Sequence, residues 1–268
     1  MTAFDESERR AWAGRGEAYA GSFAKLCAYP VPRLLDAAGV RHGTRVLDVG
    51  TGTGTTAAAA CERGARVTAV DAEPGMVALA TRAAPAAEVR LATLPILPFA
   101  DQQFDAVVGN FVLNHVGRPR AALAELRRVT VPGGRIAVTI WAAPAAAGAA
   151  LLGRAVEAAG VTRPGHLPGL APEDDFPRTE QGFAVLLSDT GLADVACETL
   201  FWDHRTTVEE WWSGPASGVA TIGQIVTSQP PAIVAEIKAH FDVLNAEFTD
   251  PEGALVLPHA ALLAQGGA

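Results

Sequence analysis

Val46-Leu47-Asp48-Val49 runs directly into Gly50-Thr51-Gly52-Thr53-Gly54, a loop with glycine at every second position. The apolar run reads as a buried strand, and the stretch Thr55 to Arg63 that follows at once reads as a helix. Seventeen residues beyond Gly54, a second apolar strand (Arg66 to Val70) closes on Asp71. This unit suits a small ligand with a hydroxylated ribose and an anionic end. Glycine lets the backbone turn sharply and approach a ligand closely. The start of a helix offers free amide N–H groups to a carboxylate or phosphate. An acid at the end of the next strand can accept hydrogen bonds from ribose hydroxyls. The dinucleotide fingerprint is G-x-G-x-x-G, whereas the spacing here is G-x-G-x-G, which argues against NAD.

The rest of the chain alternates in the same way. Strands are expected at 45–50, 66–71, 87–91, 104–109 and 134–141, with helices at 54–63, 74–83 and 119–130. Such alternation implies a parallel sheet with right-handed crossovers. Before it, residues 5–28 read as one helix carrying Trp12, Tyr19, Phe23 and Leu26, and 30–38 as a second. After Trp141 the pattern predicts a helix over 145–160, a loop over 161–178 and a helix over 179–190. A strand over 194–206, a short aromatic-rich piece at 207–212, helices over 215–227 and from Pro230, and a last strand over 254–263 complete the chain.

Half of the 268 residues are apolar, enough for a large core, and the net charge is −8. No lysine/arginine cluster of the kind that tracks nucleic-acid backbone is present. Cys27, Cys61 and Cys197 are far apart and form no C-x-x-C pair, which points to neither a zinc site nor a disulfide framework. The start, Asp5-Glu6-Ser7-Glu8-Arg9-Arg10, is unlike a signal peptide. A cytoplasmic protein with no metal, no nucleic-acid partner and no membrane partner is the expectation; the oligomeric state is open.

Four motifs in order resemble the class I S-adenosylmethionine (SAM) methyltransferases, and most of all the small-molecule branch of the ubiquinone/menaquinone-biosynthesis type. They are the glycine loop, Val70-Asp71-Ala72-Glu73-Pro74-Gly75-Met76, Leu97-Pro98-Phe99-Ala100-Asp101-Gln102-Gln103-Phe104-Asp105, and Val131-Pro132-Gly133-Gly134-Arg135-Ile136. The likeness spans about residues 10 to 141. It implies an α/β, Rossmann-like, doubly wound sheet of seven strands, the last antiparallel and inserted beside the sixth. N-terminal helices and a helical lid in the C-terminal half would flank it. Residues 1–268 would form one domain, with a helical cap (1–40), a SAM-binding core (41–141), and the remaining strands plus acceptor-binding segments (142–268).

The resemblance implies SAM as cofactor and S-adenosylhomocysteine as its product. Gly50, Thr51, Gly52 and Gly54 would shape the loop under the methionine portion, and Asp71 would hold the ribose. Asp48 has two readings, a contact to the SAM ammonium through water or an acid that braces the loop. Ala72 and Met76 would flank the adenine. Thr93 stands where the family usually has an acid for the adenine amino group, which weakens that contact; the N–H of Leu94 would still serve a ring nitrogen. The carbonyl of Asn110 would face the ammonium, and Tyr19 would either bond the SAM carboxylate or pack as core.

His115, just past the fourth strand, is the base candidate for an acceptor that must lose a proton, and otherwise a packing or capping residue beside the cofactor. His166 and His204 read as ordinary surface residues. Trp12, Phe23, Trp141, Trp202 and Trp211 would line an acceptor pocket suited to a flat, apolar molecule. The segment Gly109-Asn110-Phe111-Val112 lacks the Asn/Asp-Pro-Pro-Tyr motif of adenine- and amide-methylating enzymes. A transferase acting on a small aromatic or polyketide-like metabolite of secondary metabolism is therefore expected. A SAM-binding protein that rearranges or regulates without methylating is the alternative, because donor motifs report binding rather than turnover.

Overall fold

A computed structural model describes residues 1–268. The strands are β1 (Arg45–Val49), β2 (Arg66–Asp71), β3 (Glu88–Leu91), β4 (Phe104–Gly109), β5 (Thr130–Trp141), β6 (Ala193–Thr206) and β7 (Leu255–Gly267). They form one sheet in the order β3-β2-β1-β4-β5-β7-β6. β1 to β5 pair in parallel, while β7 lies antiparallel between β5 and β6. This is the doubly wound, seven-stranded α/β architecture with its last strand inserted. No helix is long and apolar enough to cross a membrane.

Strand periodicity divides the core. Val46 of β1 packs with α4 (Val31–Ala37) and α5 (Thr55–Glu62), on one face of the sheet. Its neighbours Leu47 and Val49 pack with α7 (Pro119–Val129) and α9 (Glu180–Ser188), on the other. Strands buried on both faces read as near-continuous apolar runs, which is why Val46, Leu47 and Val49 show no alternation, Asp48 being the buried polar exception. Each fully buried Leu or Val contributes about 1.5–3 kcal/mol. A third core joins α8 (Ala147–Ala158), α10 (Val208–Ala216) and α12 (Pro231–Leu244) around Trp211, Phe241 and Leu257.

Four boundaries differ from the sequence reading. The helix expected over 5–28 is three: α1 (Ala3–Trp12), α2 (Gly16–Ala20) and α3 (Ala24–Ala28). Gly14 takes φ +70°, and Gly21 ends the second piece. Glycine there costs the helix about 1 kcal/mol per residue and allows the bends that fold the segment back over the site. β5 begins at Thr130 rather than 134, with a register shift that absorbs the Pro132-Gly133-Gly134 turn. The aromatic-rich piece after β6 is α10, capped by Thr207, whose hydroxyl accepts from the Glu210 N–H. β7 runs four residues further than the expected end at 263, to Gly267, because it pairs along most of β6. α6 (Pro74–Ala83) and α11 (Ala220–Thr227) complete the helices.

Candidate active site

The glycine loop sits at the carboxyl end of β1, beside β2 and β4, where ligands bind in open α/β sheets. The Gly50 and Thr51 N–H groups both donate to the Val70 carbonyl, at 2.8 and 3.0 Å, and so bend the loop toward β2. Gly50, Gly52 and Gly54 take φ of +69°, +57° and +89°. A Cβ at Gly54 would stand 2.8 Å from the Ala80 Cα, so the start of α5 presses directly on α6.

Asp71 closes this cradle. Its Oδ2 accepts from the Gly52 N–H at 2.9 Å and its Oδ1 from the Glu73 N–H at 3.0 Å. Burial pushes its pKa up, opposed by those two amides. Each carboxylate oxygen still has a lone pair for a further donor, which is the chemistry a vicinal diol needs. Glu73 was not singled out in the sequence. It caps α6 by accepting from the Met76 N–H at 2.7 Å, and its other oxygen meets the Gly14 N–H at 3.3 Å. An acid directly before a proline that opens a helix is a capping signal, so Glu73 was findable.

Asp48 lies beneath the loop, fully buried. Thr51 Oγ1 donates to its Oδ2 at 2.7 Å, while Oδ1 has no partner. Burial pushes the Asp48 carboxyl up to about 7. Neither Asp48, Thr51 nor Gly54 reaches the cavity wall, whereas Gly50, Gly52, Asp71, Ala72, Met76, Thr93, Leu94 and Asn110 do. The Asn110 side chain is already committed. It donates to the Cys27 carbonyl at 2.7 Å and accepts from Thr139 Oγ1 at 2.7 Å, tying α3 to β4 and β5. These two bonds fix the side-chain orientation. The Tyr19 ring stands 3.8 Å from where a Gly52 Cβ would be, and burial raises its phenol pKa.

His115 lies in a single 3₁₀ turn after β4, on the cavity wall. Its Nδ1 is 2.7 Å from Glu8 Oε2, and Trp12 Nε1 donates to the same oxygen at 3.3 Å. A carboxylate only accepts, so the Glu8 contact places a proton on Nδ1, to which Trp12 Nε1 also stands at 3.3 Å, and leaves Nε2 free of protein partners. Helix α1 is fixed to this turn a second time, through Asp5 Oδ1, which accepts from the Gly117 N–H at 2.7 Å. Neither acid stood out in the sequence, because a helix with Asp5, Glu6 and Glu8 reads as a solvated face.

Beyond His115 the wall becomes aromatic. Trp141 stacks on Phe111 at 4.1 Å between centroids, and Phe23 meets Trp211 edge-on at 5.0 Å. Trp12, Phe23, Trp141 and Trp211 line the cavity. Trp202 does not: it packs behind the wall, between Tyr29 at 5.8 Å and His259 at 6.0 Å. Trp202 is paired across β6 and β7 with His259, which puts its ring on the far side of that neighbour. His204 is not a surface residue either, since it is 2% exposed and its ring lies 5.5 Å from that of Trp211. His166 is exposed. The glycine cradle and the aromatic wall bound one cavity of about 820 Å³.

A methyltransferase domain model matches residues 47–138, from β1 to β5. A demethylmenaquinone methyltransferase of Renibacterium salmoninarum is 41% identical over 111 residues, 41% of this chain and 47% of that protein. Another, of Beutenbergia cavernae, is 44% identical over 110 residues, 41% of this chain and 46% of that one. The chain thus spans about half the length of the curated relatives it matches. Among solved structures, the YcgJ protein of Bacillus subtilis superposes with a TM-score of 0.56 at 20% identity, over 89% of this chain and 97% of that one. That likeness concerns the fold. Residues 47–138 thus match a methyltransferase domain, and they lie in a sheet whose antiparallel β7 is inserted between β5 and β6, with the glycine cradle closed by Asp71.

Proposed function

We propose that this protein transfers a methyl group from SAM to a small aromatic or polyketide-like acceptor. The observation that carries the proposal is the single cavity, with a ribose-binding acid and a glycine loop at one end and stacked aromatic rings at the other. When bound, SAM supplies a methyl activated by its sulfonium. Asp71 and the Gly52 backbone would hold the ribose and the loop in register, with Ala72, Met76, Thr93 and Leu94 around the adenine. Tyr19, Gly50 and the Asn110 carbonyl would face the amino-acid end, where Asp48 braces the loop from below through Thr51. Trp12, Phe23, Trp141 and Trp211 exclude water and keep a flat acceptor in line, the chief contribution a protein makes to such a displacement. His115, oriented by Glu8, would accept the proton of an acceptor hydroxyl at Nε2.

The relatives' demethylmenaquinone activity fits an acceptor of this shape, a fused aromatic ring system. Incubation of the purified protein with SAM and a panel of hydroxylated aromatic compounds tests the reading. S-adenosylhomocysteine should accumulate in step with methylated acceptor, and both should vanish in Asp71→Ala. Saturable SAM binding with no S-adenosylhomocysteine formed across the panel would replace methyl transfer with binding alone.

A further inference from the structure

The aromatic end of the cavity contains a buried polar group that donor binding does not use. His259 lies on β7, lines the cavity and is 2% exposed. Its Nδ1 is 2.8 Å from the Leu257 carbonyl oxygen. A carbonyl oxygen can only accept, so Nδ1 carries the ring proton. Burial pushes the His259 pKa down to about 4, against a weaker upward pull from the Leu257 carbonyl; His204 alongside lowers it further and Asp203 raises it, each by less. The imidazole is therefore neutral, and Nε2 is a bare lone pair.

No hydrogen bond reaches that nitrogen, and the indole N–H groups of Trp202 and Trp211 nearby are likewise without partners. The rings of Trp141, Trp202 and Trp211 stand 6.0, 6.0 and 5.6 Å from the imidazole, and the cavity wall continues through Ala149 and Leu152. A cavity-lining lone pair without a donor gains a hydrogen bond from any ligand that supplies one. The carboxylates of the wall, Asp5, Glu8, Asp71 and Glu73, sit on α1 and on the β2–α6 connection, at the other end. An ammonium beside His259 would meet no carboxylate on the cavity wall there, and an anionic oxygen would face a lone pair. A neutral hydroxyl on a flat ring satisfies both conditions.

We propose that the aromatic end is a subsite for a planar aromatic ring bearing a hydroxyl, and that His259 Nε2 accepts the hydrogen bond from that hydroxyl and selects for it. This names the acceptor class within the methyltransferase reading and rests on it for biological meaning, but the binding itself does not depend on SAM. His259 is a specificity residue here and not a base.

The test compares 2-naphthol with 2-methoxynaphthalene and naphthalene, with binding followed by quenching of tryptophan fluorescence. The wild-type protein should bind 2-naphthol about tenfold more tightly than its methyl ether, as one buried hydrogen bond would provide. His259→Phe keeps a ring of similar size and should bring that ratio to about one while leaving naphthalene affinity unchanged. Equal binding of naphthol and ether by the wild-type protein would overturn the proposal without any variant, as would a ratio that survives His259→Phe. A parallel titration with S-adenosylhomocysteine separates the two readings. If the nucleoside fails to bind while the naphthol preference holds, the methyltransferase reading falls and the hydroxyl subsite stands.

Discussion

Glu8 Oε2 and His115 Nδ1, on residues 107 positions apart, meet at 2.7 Å and bind the first helix to the turn that follows β4. The Glu8 side chain is 13% exposed and that of His115 34%, so the pair sits at the rim of the cavity, half shielded from water. Glu8 fixes the ring tautomer. Glu8→Gln leaves a partner that can donate as well as accept, and the ring orientation is no longer unique. In acceptor turnover, His115→Ala should lower kcat by about 10²- to 10⁴-fold, the usual contribution of a general base, with SAM affinity little changed. Glu8→Gln should lower kcat by a smaller factor and leave KM for the acceptor nearly constant. A rate unaffected by His115→Ala would reduce the pair to a structural clasp.

Asp71→Asn replaces one acceptor oxygen with an NH₂ that faces either the Gly52 or the Glu73 amide. Loss of a charged hydrogen-bond partner costs about 1.5–3 kcal/mol. Calorimetric affinity for S-adenosylhomocysteine should fall about 10- to 100-fold, because ribose contact and loop geometry fail together. An unchanged dissociation constant would place the ribose elsewhere.

Gly54→Ala should destabilise the fold. At φ +89° a side chain is strained, and the new Cβ would meet the Ala80 backbone at 2.8 Å. A non-glycine residue in this region costs about 1–3 kcal/mol before any clash. Thermal unfolding should show a clear drop in Tm, whereas Gly153→Ala, with open space around its Cβ, should be neutral or stabilising.

Asp48 gives the fold an unusual pH dependence. Its carboxyl is held up to about 7 by burial, while an unfolded aspartate titrates near about 3.9. Between those two values the folded chain keeps a proton that the unfolded chain has lost. Stability contributed by this group therefore falls as pH rises through that window, by at most about 1.4 kcal/mol per pH unit. Urea unfolding across the window should show a steeper decline for the wild-type chain than for Asp48→Asn. Identical slopes would mean that Asp48 is ionised in the fold.

The donor half was legible because its chemistry is local. Gly50 to Gly54, Asp71 and the strand-helix alternation lie within one crossover, and short-range rules place them. The acceptor half was not, because its meaning depends on register. His259 is an isolated histidine in an apolar strand until β7 is paired with Trp202 of β6 and laid beside Trp141 of β5. Trp202 and Trp141 looked equivalent in the sequence, and only strand pairing puts one on the wall and the other behind it. The split of the first helix was missed for a related reason: its apolar spacing fits one long helix, and Gly14 and Gly21 decide otherwise only once α1 must turn to reach His115.

The late arrival of β7 has a consequence for how this molecule comes into being. The glycine loop, Asp71 and all five parallel strands have been synthesised once the chain reaches Trp141, yet residues 255–267 must slot into the gap between β5 and β6 before the cavity wall is complete. A chain clipped before β7 would keep the glycine loop and Asp71 but lose His259 and the strand that flanks Trp141, so the aromatic end is the last part of the cavity to be assembled.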